Sequence, residues 1–268
     1  MTLPRPHTEA AAAGLAALLA DPAHCLVSVD FDGTLAPIVH RPEDARPVEG
    51  ALAALHAVAG AFGHVAIVTG RPADWLVEAT GVADVPGLVI SGQYGAQHWA
   101  GETLTESEPA PGLAAVREAL PGLVAGTPAR IEDKRLSLVV HTRAAEHPDA
   151  ALAALVGPLR ALAAAHGLEA HPGRAIVELR PAGFDKGGAL TALVTELGAR
   201  SVLFAGDDLG DLAAFAAVRA LRADGVPGVT VCSGSAEAPA VAERADLVVD
   251  GPPGVVALLT ALVAAAAR

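Results

Sequence analysis

Short continuous apolar runs alternate along this chain with longer segments whose apolar positions recur every three to four residues. Leu26–Val29, Val65–Val68, Leu88–Ile90, Ser201–Ala205, Val229–Cys232 and Leu247–Val249 form the runs, as expected of strands buried on both faces. Pro47–Ala59, a segment opened by Pro72, Lys186–Leu197 and Leu212–Leu221 carry the helical spacing between them. This alternation predicts an α/β fold, a parallel sheet covered by helices on both sides. Ala10–Ala20, ahead of the first strand, reads as an amphipathic helix.

The middle of the chain follows another rhythm. Ala110–Leu120 and Ala150–Ala165 are helical, Leu136–His141 is a strand, and Leu168–Glu169 and Ala175–Leu179 pair around Pro172-Gly173. Strands in pairs between helices predict an α+β insertion over residues 97–180, dividing a core made of 1–96 and 181–268. Gly and Pro near Ala96–Gly101 and Pro181–Gly183 mark the connections.

Composition narrows the functional classes. Hydrophobic residues make up 52% of the chain but aromatics only 3%, so Ala-rich helices over a Val/Leu sheet account for the excess. Pro253–Ala267 is too short and weakly apolar to span a bilayer, and Ala10–Ala20 lacks the basic leader of a signal peptide. A net charge of -12 argues against a nucleic-acid surface and against anionic membranes. Cys25 and Cys232 stand alone in apolar runs and read as buried thiols. The expectation is a cytoplasmic, monomeric protein with neither nucleic acid nor membrane as partner.

Chemistry concentrates after two of the strands. Asp30-Phe31-Asp32-Gly33-Thr34 follows the first, and Asp207, Asp208 and Asp211 follow the strand at Ser201–Ala205. In an open parallel sheet, loops at the carboxyl ends of strands converge. Carboxylates gathered there repel unless a cation lies among them, and Mg²⁺ suits such oxygens while bridging to phosphate. Asp30 is then placed to attack phosphorus, with Asp32 giving and taking the proton. Each acidic segment taken singly is also the sequence of a capped turn. Lys134 and Lys186 are the only two lysines. Lys186, opening a helix, offers a compact charge to the acids and to phosphate. Thr69-Gly70-Arg71 brings a hydroxyl, backbone N–H groups and a guanidinium to a helix start. Glu132, Lys134, His141, Arg143 and Glu178 lie on or near the insertion's strands, suited to sugar hydroxyls or to edge salt bridges.

These motifs, in this order, resemble the haloacid-dehalogenase superfamily of aspartate-nucleophile phosphatases, which implies a Rossmann-like core with an inserted α+β, C2-type cap. Four longer stretches are similar to the trehalose-6-phosphate phosphatase family: DFDGTLAPI at 30–38, IEDKRLSLVVHTR at 131–143, GRAIVELRPAGFDKGGAL at 173–190 and LFAGDDLGDLAAF at 203–215. The resemblance implies Mg²⁺-dependent hydrolysis of trehalose 6-phosphate through an aspartyl-phosphate. Asp30 would be nucleophile, and Asp32 general acid and base. Asp30, the Asp32 carbonyl and Asp207 would hold the metal, supported by Asp208 and Asp211. Thr69, Gly70 and Lys186 would bind phosphate. Arg71, Glu132, Lys134, His141, Arg143 and Glu178 would meet the sugar phosphate, with Arg180 beside them. The chain departs from that family's pattern at Gly92-Gln93-Tyr94-Gly95, Thr142, Gly210 and Leu212. A phosphatase for another sugar phosphate and a non-catalytic sugar-phosphate sensor stay open as alternatives.

Overall fold

Every residue of the first strand, β1 (Cys25–Val29), is buried, and the side chains alternate between two apolar layers. Val27 and Val29 join one cluster with Leu55, Ile67, Val231 and Leu259. Leu26 joins the other, with Val68, Leu190, Phe204 and Phe215. In this computed structural model residues 3–39, 41–173, 175–234 and 239–267 are described. The chain divides into two compact units, residues 1–105 with 185–268, and residues 106–184.

The first unit runs α1 (Glu9–Ala20), β1, α2 (Ala51–Ala61), β2 (His64–Val68), α3 (Ala73–Thr80), β3 (Leu88–Gly92), β4 (Gln97–Ala100) and β5 (Thr103–Glu106). After the second unit, whose helices and strands are α4, α5 and β6–β9, it resumes with α6 (Lys186–Glu196), β10 (Ser201–Gly206) and α7 (Leu212–Ala223). It closes with β11 (Gly228–Gly234), α8 (Pro239–Ala242), β12 (Leu247–Asp250) and α9 (Gly251–Ala266). The sheet order is β12-β11-β10-β1-β2-β3-β4-β5. Pairings from β12 to β3 are parallel, and β4 runs antiparallel to β3. This is the expected parallel core.

Local chemistry sets several boundaries. Thr8 caps α1 by accepting from the Ala11 N–H at 3.1 Å. The helix expected from Pro47 begins at Ala51, because Gly50 is left-handed at φ 83° and its geometry cannot continue a right-handed turn. Pro72 is the extended residue before α3 and not its first turn. Residues 97–105, assigned from the sequence to the insertion, extend the core sheet as β4 and part of β5, and the compact second unit runs from 106 to 184.

The second unit contains α4 (Leu113–Val124), β6 (Arg130–Asp133), β7 (Leu138–His141), α5 (Pro148–Ala165), β8 (Leu168–Gly173) and β9 (Ile176–Pro181). Its sheet is antiparallel, in the order β6-β7-β9-β8. Leu138, Val140, Val177 and Leu179 pack with Val116 and Leu120 of α4 and with Leu155 and Leu159 of α5. Strand β6 has no apolar run; Arg130-Ile131-Glu132-Asp133 is a strand because it pairs with β7. By length and composition α5 is apolar enough to cross a membrane; its Leu155, Leu159 and Ala163 are buried.

Candidate active site

Strand register builds the acidic site. Val29 of β1 is level with Ala205 of β10, and the Asp30 N–H donates to the Ala205 carbonyl at 2.8 Å. The two adjacent strands therefore deliver Asp30 and Asp207 to one end of the sheet. A tight turn then returns Asp211: its Oδ2 accepts from the N–H groups of Asp207 at 2.9 Å and Asp208 at 3.1 Å. Asp208 reciprocates through Oδ1 to the Asp211 N–H at 3.2 Å. Acidic oxygens of Asp30, Asp207 and Asp211 lie within 4.8 Å of one another.

Lys186 enters this group from the first turn of α6, whose N-cap Asp185 accepts from the Gly188 N–H at 2.7 Å. Its Nζ stands 2.7 Å from Asp211 Oδ1, 2.9 Å from Asp30 Oδ1 and 4.0 Å from Asp208 Oδ1. Lys186 is 4% exposed, Asp30 3% and Asp211 0%. Burial would lower the lysine's pKa, but the charges of Asp211 and Asp30 outweigh it and hold the ammonium well above its usual value. Burial pushes Asp30 well above the carboxylate range despite Lys186. Burial, with Asp211 and Asp208 adding to it, pushes Asp207 up to about 8; burial pushes Asp211 up to about 6. One ammonium does not balance three sequestered acids. A divalent cation fits this donor set, being hard and oxygen-seeking. Both Asp211 oxygens are committed to Lys186 and backbone, so Asp30 and Asp207 are the carboxylates suited to hold it.

Asp32 is placed differently. The strand ends at Val29, and the chain turns so that the Leu35 and Ala36 N–H groups both donate to the Phe31 carbonyl at 2.9 Å. The Asp32 carboxylate meets Arg71, Nε to Oδ2 at 2.6 Å and Nη2 to Oδ1 at 2.7 Å. Arg71, expected to bind substrate, also donates from Nη1 to the Pro42 carbonyl at 2.7 Å. Thr69 is 1% exposed, and its N–H donates to the Ser91 carbonyl at 3.0 Å. Its Oγ1 accepts from the Arg71 N–H at 3.1 Å, so neither of those N–H groups is the open phosphate donor expected of this loop.

Within the second unit, register aligns Glu132 of β6 with Val139 of β7, and Val139 with Glu178 of β9. Alternation sets Glu132 and Glu178 on the face opposite Leu138, Val140, Val177 and Leu179. Glu178 is buried and accepts from Ser137 Oγ at 2.7 Å and from Lys134 Nζ at 3.3 Å. His141 Nε2 lies 2.6 Å from Glu132 Oε2. Burial would raise the Glu132 carboxyl, but that hydrogen bond and the Lys134 charge hold it below its usual range. Arg143 is half-buried. Thr142 is buried, with Oγ1 donating to the Ala175 carbonyl at 3.2 Å.

Three positions escaped the sequence reading. Ser137 orders Glu178; Thr34 Oγ1 donates to Asp207 Oδ1 at 3.5 Å; Ser233 Oγ donates to the Gly33 carbonyl at 2.7 Å. Thr34 sits inside the first acidic motif and Ser233 at a carboxyl strand end, the only signals either offered.

The fold is shared with several solved structures. A haloacid dehalogenase-like hydrolase from Bacteroides thetaiotaomicron is similar in fold at a TM-score of 0.63 and 16% identity, covering 88% of this chain and 98% of that one. Residues 28–250 match the Trehalose-phosphatase family, and the chain belongs to that family. It is 36% identical over 222 residues to a trehalose-phosphate phosphatase of Mycobacterium avium, covering 76% of this chain and 54% of that one. The chain thus spans about half the length of the curated trehalose-phosphate phosphatases it matches. The C-terminal domain of a C. albicans trehalose-6-phosphate phosphatase shares the fold at a TM-score of 0.79 and 21% identity, covering 98% of this chain and 99% of that one.

Proposed function

We propose that this chain hydrolyses trehalose 6-phosphate to trehalose and inorganic phosphate. The supporting observation is the buried acid set of Asp30, Asp207 and Asp211 around Lys186 in a member of the Trehalose-phosphatase family. Mg²⁺, held by Asp30, the Asp32 carbonyl and Asp207, would supply charge neutralisation for the phosphoryl oxygens. Asp208 and Asp211 support that set, Asp211 by fixing the Asp207 and Asp208 backbone.

The protein's own groups perform the transfer. Asp30 attacks phosphorus while the bond to the sugar oxygen breaks, and Asp32 gives that oxygen its proton. The phosphoryl group is then on Asp30. Asp32, now a carboxylate, takes a proton from the water that attacks phosphorus, and phosphate leaves with Asp30 restored. Lys186 keeps its charge throughout, beside Asp30, and orients phosphate with the Thr69 hydroxyl and Gly70. Glu132, Lys134, His141, Arg143 and Glu178 recognise the sugar.

The test is a panel of sugar phosphates assayed with Mg²⁺ and with chelator. Trehalose 6-phosphate is expected to give the highest kcat/KM, with release abolished by the chelator. A clear preference for a different sugar phosphate overturns the substrate; binding without phosphate release overturns catalysis.

A further inference from the structure

Arg71 is held both by stacking and by hydrogen bonds from each guanidinium nitrogen. Its guanidinium lies 4.1 Å from the Trp75 ring centroid and 5.6 Å from that of Phe31, whose rings meet edge to face at 6.1 Å. Stacking of this kind fixes the guanidinium plane. The Pro42 carbonyl takes Nη1, and the Asp32 carboxylate takes Nε and Nη2. The Arg71 side chain is 13% exposed and that of Asp32 is 33% exposed. Here all three guanidinium nitrogens donate within the protein, and the partly open member of the pair is the acid.

Phe31 joins Asp32 to Asp30 in sequence, so the ring beside Arg71 is carried by the same turn that carries both acids. Trp75 projects from α3, in the turn that follows Arg71. The clamp therefore ties the turn after β1 to the start of α3. A bidentate fork occupies one lone pair on each carboxylate oxygen. The remaining lone pair on each is directed away from the guanidinium, where a proton can be exchanged.

We propose that Arg71 is a positioning residue that clamps the Asp32 carboxyl group in the orientation needed for proton exchange. This rests on the phosphatase reading given above. Lysine cannot replace it, because a single ammonium neither forks nor stacks in this way.

The test compares two leaving groups in single turnovers at saturating substrate. Trehalose departs as an alkoxide that needs a proton, whereas p-nitrophenolate departs without one. Arg71→Met is expected to slow trehalose release by about 10–100-fold, in the range of a general-acid contribution, and to leave the p-nitrophenolate burst within about twofold. Asp32→Asn should show the same selectivity, and adding Arg71→Met to it should cost no more than about twofold further. Arg71→Lys should resemble Arg71→Met. Equal losses on both leaving groups, losses that multiply in the double variant, or a raised KM with the saturated rate kept would overturn the proposal. The Arg71 Nε–Hε NMR signal provides a readout free of turnover. It should exchange slowly with water and shift on Asp32→Asn; a signal indifferent to that change in an active parent fails the clamp alone. A parent that releases phosphate from neither compound fails the phosphatase reading, and the proton-exchange role with it.

Discussion

Gly33 and Asp207 occupy one space. A Cβ placed on Gly33 would lie 2.0 Å from Asp207 Oδ2, and Gly33 has a φ of 74°. Sterics and backbone conformation both demand hydrogen at this position. Gly33→Ala is expected to displace the Asp207 carboxylate, weaken Mg²⁺ binding at least about tenfold and destabilise the chain by about 1–3 kcal/mol. Calorimetric titration with Mg²⁺ and urea unfolding check the two effects separately.

Asp30→Asn is expected to remove turnover, by more than about 10³-fold, while leaving the fold intact. Its folded-state pKa is raised by burial, so the neutral amide relieves a charge the metal-free protein holds poorly. The metal-free variant should melt no lower than the parent at about pH 8. Phosphate release and circular dichroism read these outcomes.

The raised acids also fix a pH dependence for the metal-free protein. Asp207 and Asp211, pushed up to about 8 and about 6, hold protons in the folded state that the unfolded chain has already released. The stability these two acids contribute is therefore fully present below about pH 4 and is lost as pH rises through about 6 and then about 8. Melting temperature should fall across that window, and Mg²⁺ should offset the fall by favouring the ionised acids. Scanning calorimetry from about pH 4 to about pH 9, with and without Mg²⁺, follows both.

Lys186→Met leaves Asp30 and Asp211 without their buried cation. Breaking such a set costs about 3–5 kcal/mol, and phosphate turnover should fall with it. Raised Mg²⁺ should recover part of the stability and little of the turnover, as seen by urea unfolding and rate assays.

Glu178→Gln keeps an acceptor for Ser137 but removes the charge facing Lys134. The expected result is a KM for trehalose 6-phosphate raised about tenfold or more, with p-nitrophenyl phosphate kinetics within about twofold. Steady-state kinetics on both compounds decide it.

The core strands were legible because burial on both faces leaves long apolar runs, and the acids because they follow two of those runs at fixed spacing. Strand β6 was not, since Arg130-Ile131-Glu132-Asp133 becomes a strand by pairing with β7 rather than by its own pattern. The same holds for Gln97–Ala100, which is ordered by β3. The engagement of Arg71 with Asp32, 39 positions away, was not legible because it exists only once β1 and β2 are neighbours. Thr142 departs from the family's pattern, and only the fold shows its hydroxyl turned to the Ala175 carbonyl.

The neighbouring placement of β1 and β10, in which Cys25 pairs with Ser201 from far along the chain, has a consequence during synthesis. A nascent polypeptide halted before Ser201 possesses Asp30 but neither Asp207 nor Asp211 to accompany it. Such a product lacks the buried acid set however well its early helices form. The acid set is complete only when the late strand docks beside the early one.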